Sequence, residues 1–355
     1  PGLYALPGHS RLRGLGYIGK QGPTLVKALE DRARSRGVEI LFKHRAHKLI
    51  VDPKTKRVIG VSVQVGDDTK NFKAKKAVII ATGGFGYNRD MIAEYAPHML
   101  AAIPKMPPSH QGDGLKMALD AGAATKDIGI AVAPSWPICR ETHSNALWVI
   151  WNGGIMVNVD GKRFHDESSS ENYYAYMTST AMKQPKGYYW VLFNDNFKEG
   201  IRKITVDDLM ASIEKCKQYT ADSLEEMAKI TDIDPKGLKE TVDKYNNDID
   251  TVGYDTEFGR KFQFGLDRPL FKLDTPKYYA IKCVTAITSM KGGIKINERT
   301  QVINNYGDVI PGLYAAGEAI GGLYTKSYIL GVMTSGSMAL GLIAGKNAVK
   351  EPSIA

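Results

Sequence analysis

The stretch Gly312-Leu313-Tyr314-Ala315-Ala316-Gly317-Glu318-Ala319-Ile320-Gly321-Gly322-Leu323 most constrains what this chain can fold into. It reads as a short apolar strand, a turn carrying an acidic residue and a glycine-rich crossing. An apolar helix through Gly331-Val332-Met333-Thr334-Ser335-Gly336 then follows. A glutamate after a buried strand can hold a ribose or ribityl hydroxyl. The next helix aims its N-terminal amides at a phosphate or an electron-rich ring edge. A glycine-rich turn before a core helix is the plainer reading of the same residues.

A second stretch, Ala77-Val78-Ile79-Ile80-Ala81-Thr82-Gly83-Gly84-Phe85, has a β-branched run ending in Ala-Thr-Gly-Gly. Glycines there let the backbone approach a flat or charged ligand closely. Together the two motifs resemble the flavoprotein superfamily of fumarate reductases, succinate dehydrogenases and ketosteroid dehydrogenases, over nearly the whole chain. The resemblance implies an α/β FAD-binding domain of the glutathione-reductase-like class, discontinuous, with an inserted α+β capping domain. It assigns Ala81, Thr82, Gly83 and Gly84 to the adenosine end of a non-covalently held FAD. It assigns Gly317 and Glu318 to the ribityl chain and pyrophosphate, followed by the helix start at Gly331, Met333 and Thr334.

A chain of 355 residues is long enough for two well-buried cores. The net charge of +9 is spread along the chain, and the short cluster Lys73-Ala74-Lys75-Lys76 flanks a strand. No nucleic-acid-binding module accompanies it, so nucleic acid is not an expected partner, and a positive field suits an anionic cofactor. Cys139, Cys216 and Cys283 are widely separated. Without a Cys-x-x-Cys they suggest no metal, iron-sulfur or haem ligation, but structural thiols in a reducing, cytoplasmic setting. No apolar run reaches the length of a membrane span.

Gly14-Leu15-Gly16-Tyr17-Ile18-Gly19 spells a dinucleotide fingerprint. It follows Pro7-Gly8-His9-Ser10-Arg11-Leu12-Arg13 rather than a buried strand, so it is not expected to hold a phosphate. The family's pyrophosphate loop belongs to an N-terminal βαβ unit, which is expected to be missing from this chain. Apolar spacing predicts a helix from Thr24 to near Gly37 and a strand over Val38 to Phe42. A hairpin is predicted from His47 to Val51 and Val58 to Val65, turning at Asp52-Pro53-Lys54-Thr55. A helix from Leu115 to Ala121 opens at Gly112-Asp113-Gly114 and closes at Gly122. By the resemblance, backbone at Ala46 touches the adenine, while His44 and His47 read as surface strand residues. Composition shifts near Val132, and Ser223-Leu224-Glu225-Glu226 resembles a helix start. The expected division is an FAD-binding domain over 1–130 and 275–355, with a capping domain over 131–274.

Thr288-Ser289-Met290-Lys291-Gly292-Gly293-Ile294 resembles the segment lying against the isoalloxazine ring. Ser289, Met290 and Gly292 are the expected contacts, Met290 being polarisable. A strand with a glycine bulge is the alternative. Fumarate reductases carry a histidine where Ile287 or Thr288 stands. Tyr324 falls at another of their histidines, Tyr328 at the arginine that clamps a dicarboxylate, and Glu171 at their proton-donating arginine. Arg163, within Gly161-Lys162-Arg163-Phe164-His165-Asp166-Glu167, reads as a structural salt-bridge residue. Fumarate would leave two carboxylates without cationic partners, at several kcal/mol of desolvation.

The resemblance therefore implies an FAD-dependent oxidoreductase that reduces or forms a C=C bond conjugated to a carbonyl in a largely neutral, apolar substrate, such as a 3-ketosteroid-like enone. Tyr324 is the candidate for carbonyl polarisation or proton transfer, with Tyr328 and Lys291 as alternates. Aromatic packing under the cap is the other reading of the two tyrosines. One alternative function is a reductase of an acrylate-type or fumarate-like acid, with Lys291, Lys326 or Arg140 supplying charge. Another is a non-catalytic flavin-binding subunit or fragment. The expected partners are a small-molecule substrate and an electron donor, either a reduced nicotinamide or an electron-transfer partner. No metal is expected.

Overall fold

The computed structural model describes residues 2–4, 14–16, 21–133, 135–137, 149–150, 153–167, 173–199, 219–263, 269–323 and 332–354. At its centre a three-stranded sheet runs Gln301–Ile303, Val309–Ala315, Val78–Ile80. The first pair is antiparallel; the second is parallel, with Leu313 opposite Val78 and Ala315 opposite Ile80. Beside it lies a meander of Arg45–Val51, Val58–Val65 and Asp68–Lys73. The Asp52 carboxylate accepts from the N–H groups of Lys54 and Thr55 at 3.0 and 2.7 Å, which reverses the chain at the predicted turn. The Asp68–Lys73 strand was not predicted. All six of its residues are exposed, so no apolar alternation marks it. The helix Asp113–Asp120 starts after Gly112, which has a φ of 76°. It buries Leu115, Met117 and Ala118 in a core shared with Leu49, Val58, Ile80, Phe85, Ile294 and Leu313.

A second core surrounds a six-stranded sheet. The ten-residue strand Tyr278–Ile287 pairs with Tyr189–Asn194, Ser135–Pro137 and Tyr219–Ala221, and Ile155–Val157 lies outside Tyr189–Asn194. Every residue of Tyr189–Asn194 is buried. Tyr189, Val191 and Phe193 face one apolar cluster with Met177 and Ala181. Trp190 and Leu192 face another with Met227, Leu238 and Val242. A strand covered on both faces reads as a continuous apolar run. Helices Leu224–Ile230 and Pro235–Val252 cover the second face. Ser223 and Asp234 cap them by accepting from the N–H groups of Glu226 and Gly237. At its far end Tyr278–Ile287 pairs in parallel with Ile103–Pro104, and Ile287 enters the first core. One strand thus ties the two cores together.

Arg163 is buried, as a structural ion-pair residue should be. Its guanidinium reaches Glu167 at 2.6 Å and Asp255 at 2.7 Å, and Arg260 reaches Glu167 at 3.3 Å. Arg163 also lies 5.2 Å over the Tyr245 ring and 5.0 Å over Phe258.

One expected element meets a different outcome. Val38 to Phe42 forms no strand. Val38, Leu41 and Phe42 are exposed and no strand pairs with them. The helix Gln21–Ser35 forms where spacing predicted it, but Val26 and Leu29 on it are exposed at 63% and 50%. Gly14–Gly16 is itself a strand, antiparallel to Gly2–Tyr4. Among the described residues no helix is long and apolar enough to cross a membrane.

Candidate functional site

The two glycine motifs meet because their strands are parallel neighbours, so both chains leave the sheet at the same end. The ladder runs to the turn, where the Ala316 N–H donates to the Ile80 carbonyl at 2.9 Å. The chain then turns through Gly83 with φ of 75° and Gly317 with φ of 73°, a region that favours glycine. Gly84 faces Glu318: a Cβ on it would stand 2.7 Å from Glu318 Oε1. Ligands of open α/β sheets bind outside the carboxyl ends of the strands, which is where these turns lie.

Glu318 is the site's most perturbed carboxylate. Oε1 accepts from the Met290 N–H at 2.8 Å. Burial pushes its pKa up to about 7, against the opposing hydrogen bonds from Met290 and Ser289. No lysine or arginine among the described residues pairs with it; the group across from it is His110, with Nδ1 3.7 Å from Oε2. Burial holds His110 below the usual histidine range. Sequence reasoning missed His110. Its only signal was a position three residues before Asp113 in the helix-opening segment.

Ser289 and Met290 are buried and pair antiparallel with Ala131–Val132. Lys291 is 3% exposed, and burial lowers its pKa while Asp127 opposes the shift. A Cβ on Gly292 would collide with the Asp127 backbone, one on Gly293 with the Ala319 carbonyl, and one on Gly321 with the Lys126 carbonyl. These glycines let three chain segments stack. Close contact between protein segments requires glycine at these positions.

At the opposite end, Ala46 lies in the Arg45–Val51 strand beside a cleft of about 320 Å³ lined by Arg45, His47, Gln64, Asp113 and Lys116. Arg45 holds Asp113 through two hydrogen bonds of 2.8 Å. A Cβ on Gly114 would collide with the Thr82 side chain, and one on Gly83 would stand 2.8 Å from His110 Nε2. Ala81 and Thr82 are exposed. Arg45, Asp113, Gly114, Thr82, Gly83, His110, Glu318, Met290 and Lys291 therefore form one continuous line of neighbours. Met333 and Thr334 open the helix Val332–Ala348, with Met333 half-buried and Thr334 exposed. Tyr324, Tyr328 and Gly331 lie outside the described residues.

Known proteins share this fold. The profile of the FAD binding domain family matches residues 5–332. A probable fumarate reductase of Shewanella frigidimarina is 30% identical over 93% of this chain and 53% of its own length. Among solved structures, the open conformation of a flavocytochrome c3 fumarate reductase superposes with a TM-score of 0.77. It is 30% identical, over 94% of this chain and 57% of that one. A 3-ketosteroid delta1-dehydrogenase from Sterolibacterium denitrificans has the same fold, with a TM-score of 0.75 at 23% identity over 91% of this chain and 62% of that one. The chain spans little more than half the length of the fumarate reductases it matches.

Proposed function

This chain belongs to the FAD binding domain family, within the fumarate reductase and succinate dehydrogenase flavoproteins, and on that premise we propose that it is a flavoenzyme acting on a C=C bond conjugated to a carbonyl. The observation that carries the reading is the line of neighbours from the Arg45 cleft to Lys291. A series of contacts that joins the surface cleft at Arg45 to Lys291 by way of the buried Glu318 carboxylate suits an extended dinucleotide better than a compact ligand. The residues fit FAD on their own chemistry. Glu318 is a largely buried acceptor without a cation, a place for a sugar hydroxyl that donates to it. We read residues 1–130 and 275–355 as the FAD-binding domain and 131–274 as an inserted cap, with the Tyr278–Ile287 strand crossing between the two: its first residues complete the sheet of the second core and Ile287 enters the first. FAD is read as held non-covalently, with reduced nicotinamide or an electron-transfer partner as donor.

FAD, when bound, supplies the hydride chemistry. The chain must hold the substrate carbonyl, move a proton and exclude water. Our substrate reading is a largely neutral enone, because the sequence has Tyr324, Tyr328 and Glu171 where fumarate reductases carry cationic or histidine side chains. A phenol donating to the carbonyl oxygen would stabilise developing enolate charge. Lys291 is the described alternate; burial makes it a stronger acid than an exposed lysine. The second reading, an acrylate-type or fumarate-like acid, is favoured by the 30% identity to a probable fumarate reductase and by Lys291 as a buried cation. Comparing Tyr324→Phe with wild type tests the first. A fall in enone turnover of about 100-fold supports Tyr324 as the acid, and an unchanged rate removes it from that role.

A further inference from the structure

We propose that His110 is a cofactor-binding residue, forming with Glu318 a two-sided clamp on one sugar hydroxyl of the flavin nucleotide. The inference rests on the FAD reading and adds to it a residue outside both glycine motifs. His110 is fixed from its backbone: its N–H donates to the Pro107 carbonyl at 2.9 Å, and its own carbonyl accepts from the Tyr87 N–H at 3.2 Å. Its ring lies against Gly83, where any side chain would meet Nε2. That leaves Nδ1 turned toward Glu318 Oε2, buried and without a hydrogen-bond partner, at 3.7 Å. The separation is too long for a direct hydrogen bond; a single oxygen set to one side of the pair, about 2.8 Å from each, would bridge it. Glu318 Oε1 is already engaged by Met290, so Oε2 is the oxygen presented across the gap.

A buried polar atom without a partner is costly, and Nδ1, facing a carboxylate oxygen beyond hydrogen-bond reach, calls for a third group between them. A hydroxyl can accept from an Nδ1–H and donate to a carboxylate at the same time. A phosphate cannot, since it has no proton to give the carboxylate. Neutral His110 opposite Glu318 therefore selects for a sugar alcohol over an anion. The groups facing the pair are the Met290 N–H and Ser289 from one side and Gly83 and Gly84 from the other. Either the ribityl chain or the adenosine ribose carries suitable hydroxyls.

The test measures FAD dissociation constants by quenching of flavin fluorescence for the wild-type chain, His110→Gln and His110→Leu, with competition by riboflavin and by adenosine. His110→Leu is expected to weaken FAD about tenfold, and His110→Gln to recover most of that loss. The thermal midpoint of the flavin-free protein should not fall in His110→Leu, since a partnerless polar atom is removed. The competitor whose own affinity drops in His110→Leu identifies the hydroxyl as ribityl or ribose. Equal FAD affinity in wild type and His110→Leu overturns the assignment, as does an equal loss in both variants, which would mean that ring shape alone matters. A wild-type full gene product that takes up no FAD refutes the cofactor reading itself, and this assignment with it.

Discussion

Glu318 Oε1 accepts the backbone N–H of Met290 at 2.8 Å, tying the turn after the Val309–Ala315 strand to the segment that carries Lys291. The carboxylate is thereby aimed by the backbone while remaining without a cation. Glu318→Gln keeps the shape and an oxygen for Met290 but removes the charge. Hydrogen bonds to charged groups are worth about 1.5–3 kcal/mol, so FAD affinity should fall by roughly 10- to 100-fold. Equilibrium dialysis against FAD measures it.

The same residue sets a pH dependence. Its pKa rises from 4.5 to about 7 in the folded chain, so between those values the folded state binds more protons than the unfolded one. The contribution of Glu318 to stability is therefore present below about pH 4.5, is lost progressively as pH rises toward 7, and changes little above. The span is at most about 3 kcal/mol. His110, held low by burial, acts in the opposite sense below its ordinary 6.5. Urea unfolding of flavin-free wild type and Glu318→Gln across this range isolates the Glu318 part as their difference. FAD affinity should rise with pH through about 7, because a sugar hydroxyl donates to the ionised carboxylate.

Arg163, Glu167, Asp255 and Arg260 form a closed network of buried charge. Removing one partner strands the rest, at about 3–5 kcal/mol. Glu167→Ala should lower the urea midpoint strongly. The FAD affinity of whatever fraction remains folded should be unchanged, which separates a structural role from a catalytic one.

Glycines give a graded set. Gly292→Ala drives a methyl into the Asp127 backbone and should leave little soluble, folded protein. Gly122→Ala meets open space but a φ of 86°, at a cost of about 1–2 kcal/mol. Gly341→Ala lies inside the Val332–Ala348 helix with nothing near it, and should stabilise by about 0.5–1 kcal/mol. Thermal denaturation of the three orders them.

The local chemistry was legible in the sequence wherever it is carried by consecutive residues. Asp52 announced its turn, Ser223 its helix start, and the two glycine motifs the family. What was not legible either carried no local pattern or depended on partners distant in sequence. The exposed Asp68–Lys73 strand has no apolar pattern, and Val38 to Phe42 has a strand's composition but nothing to pair with. The close neighbours of Gly292 and Gly293, Asp127 and Ala319, are likewise distant in sequence. His110 becomes a candidate only when the parallel strands bring Glu318 within 3.7 Å of it.

The central claim, that FAD on this protein exchanges hydride with a conjugated C=C bond, is tested most directly by single-turnover reoxidation. The FAD-loaded full gene product is reduced anaerobically and mixed in turn with a neutral steroid enone, an acrylate-type acid and fumarate, while the flavin absorbance is followed. The account predicts rapid return of the oxidised flavin with the neutral enone. Rapid return with an acid instead would replace the neutral substrate by the anionic one. No return with any of the three, in a protein that holds FAD, would contradict the claim.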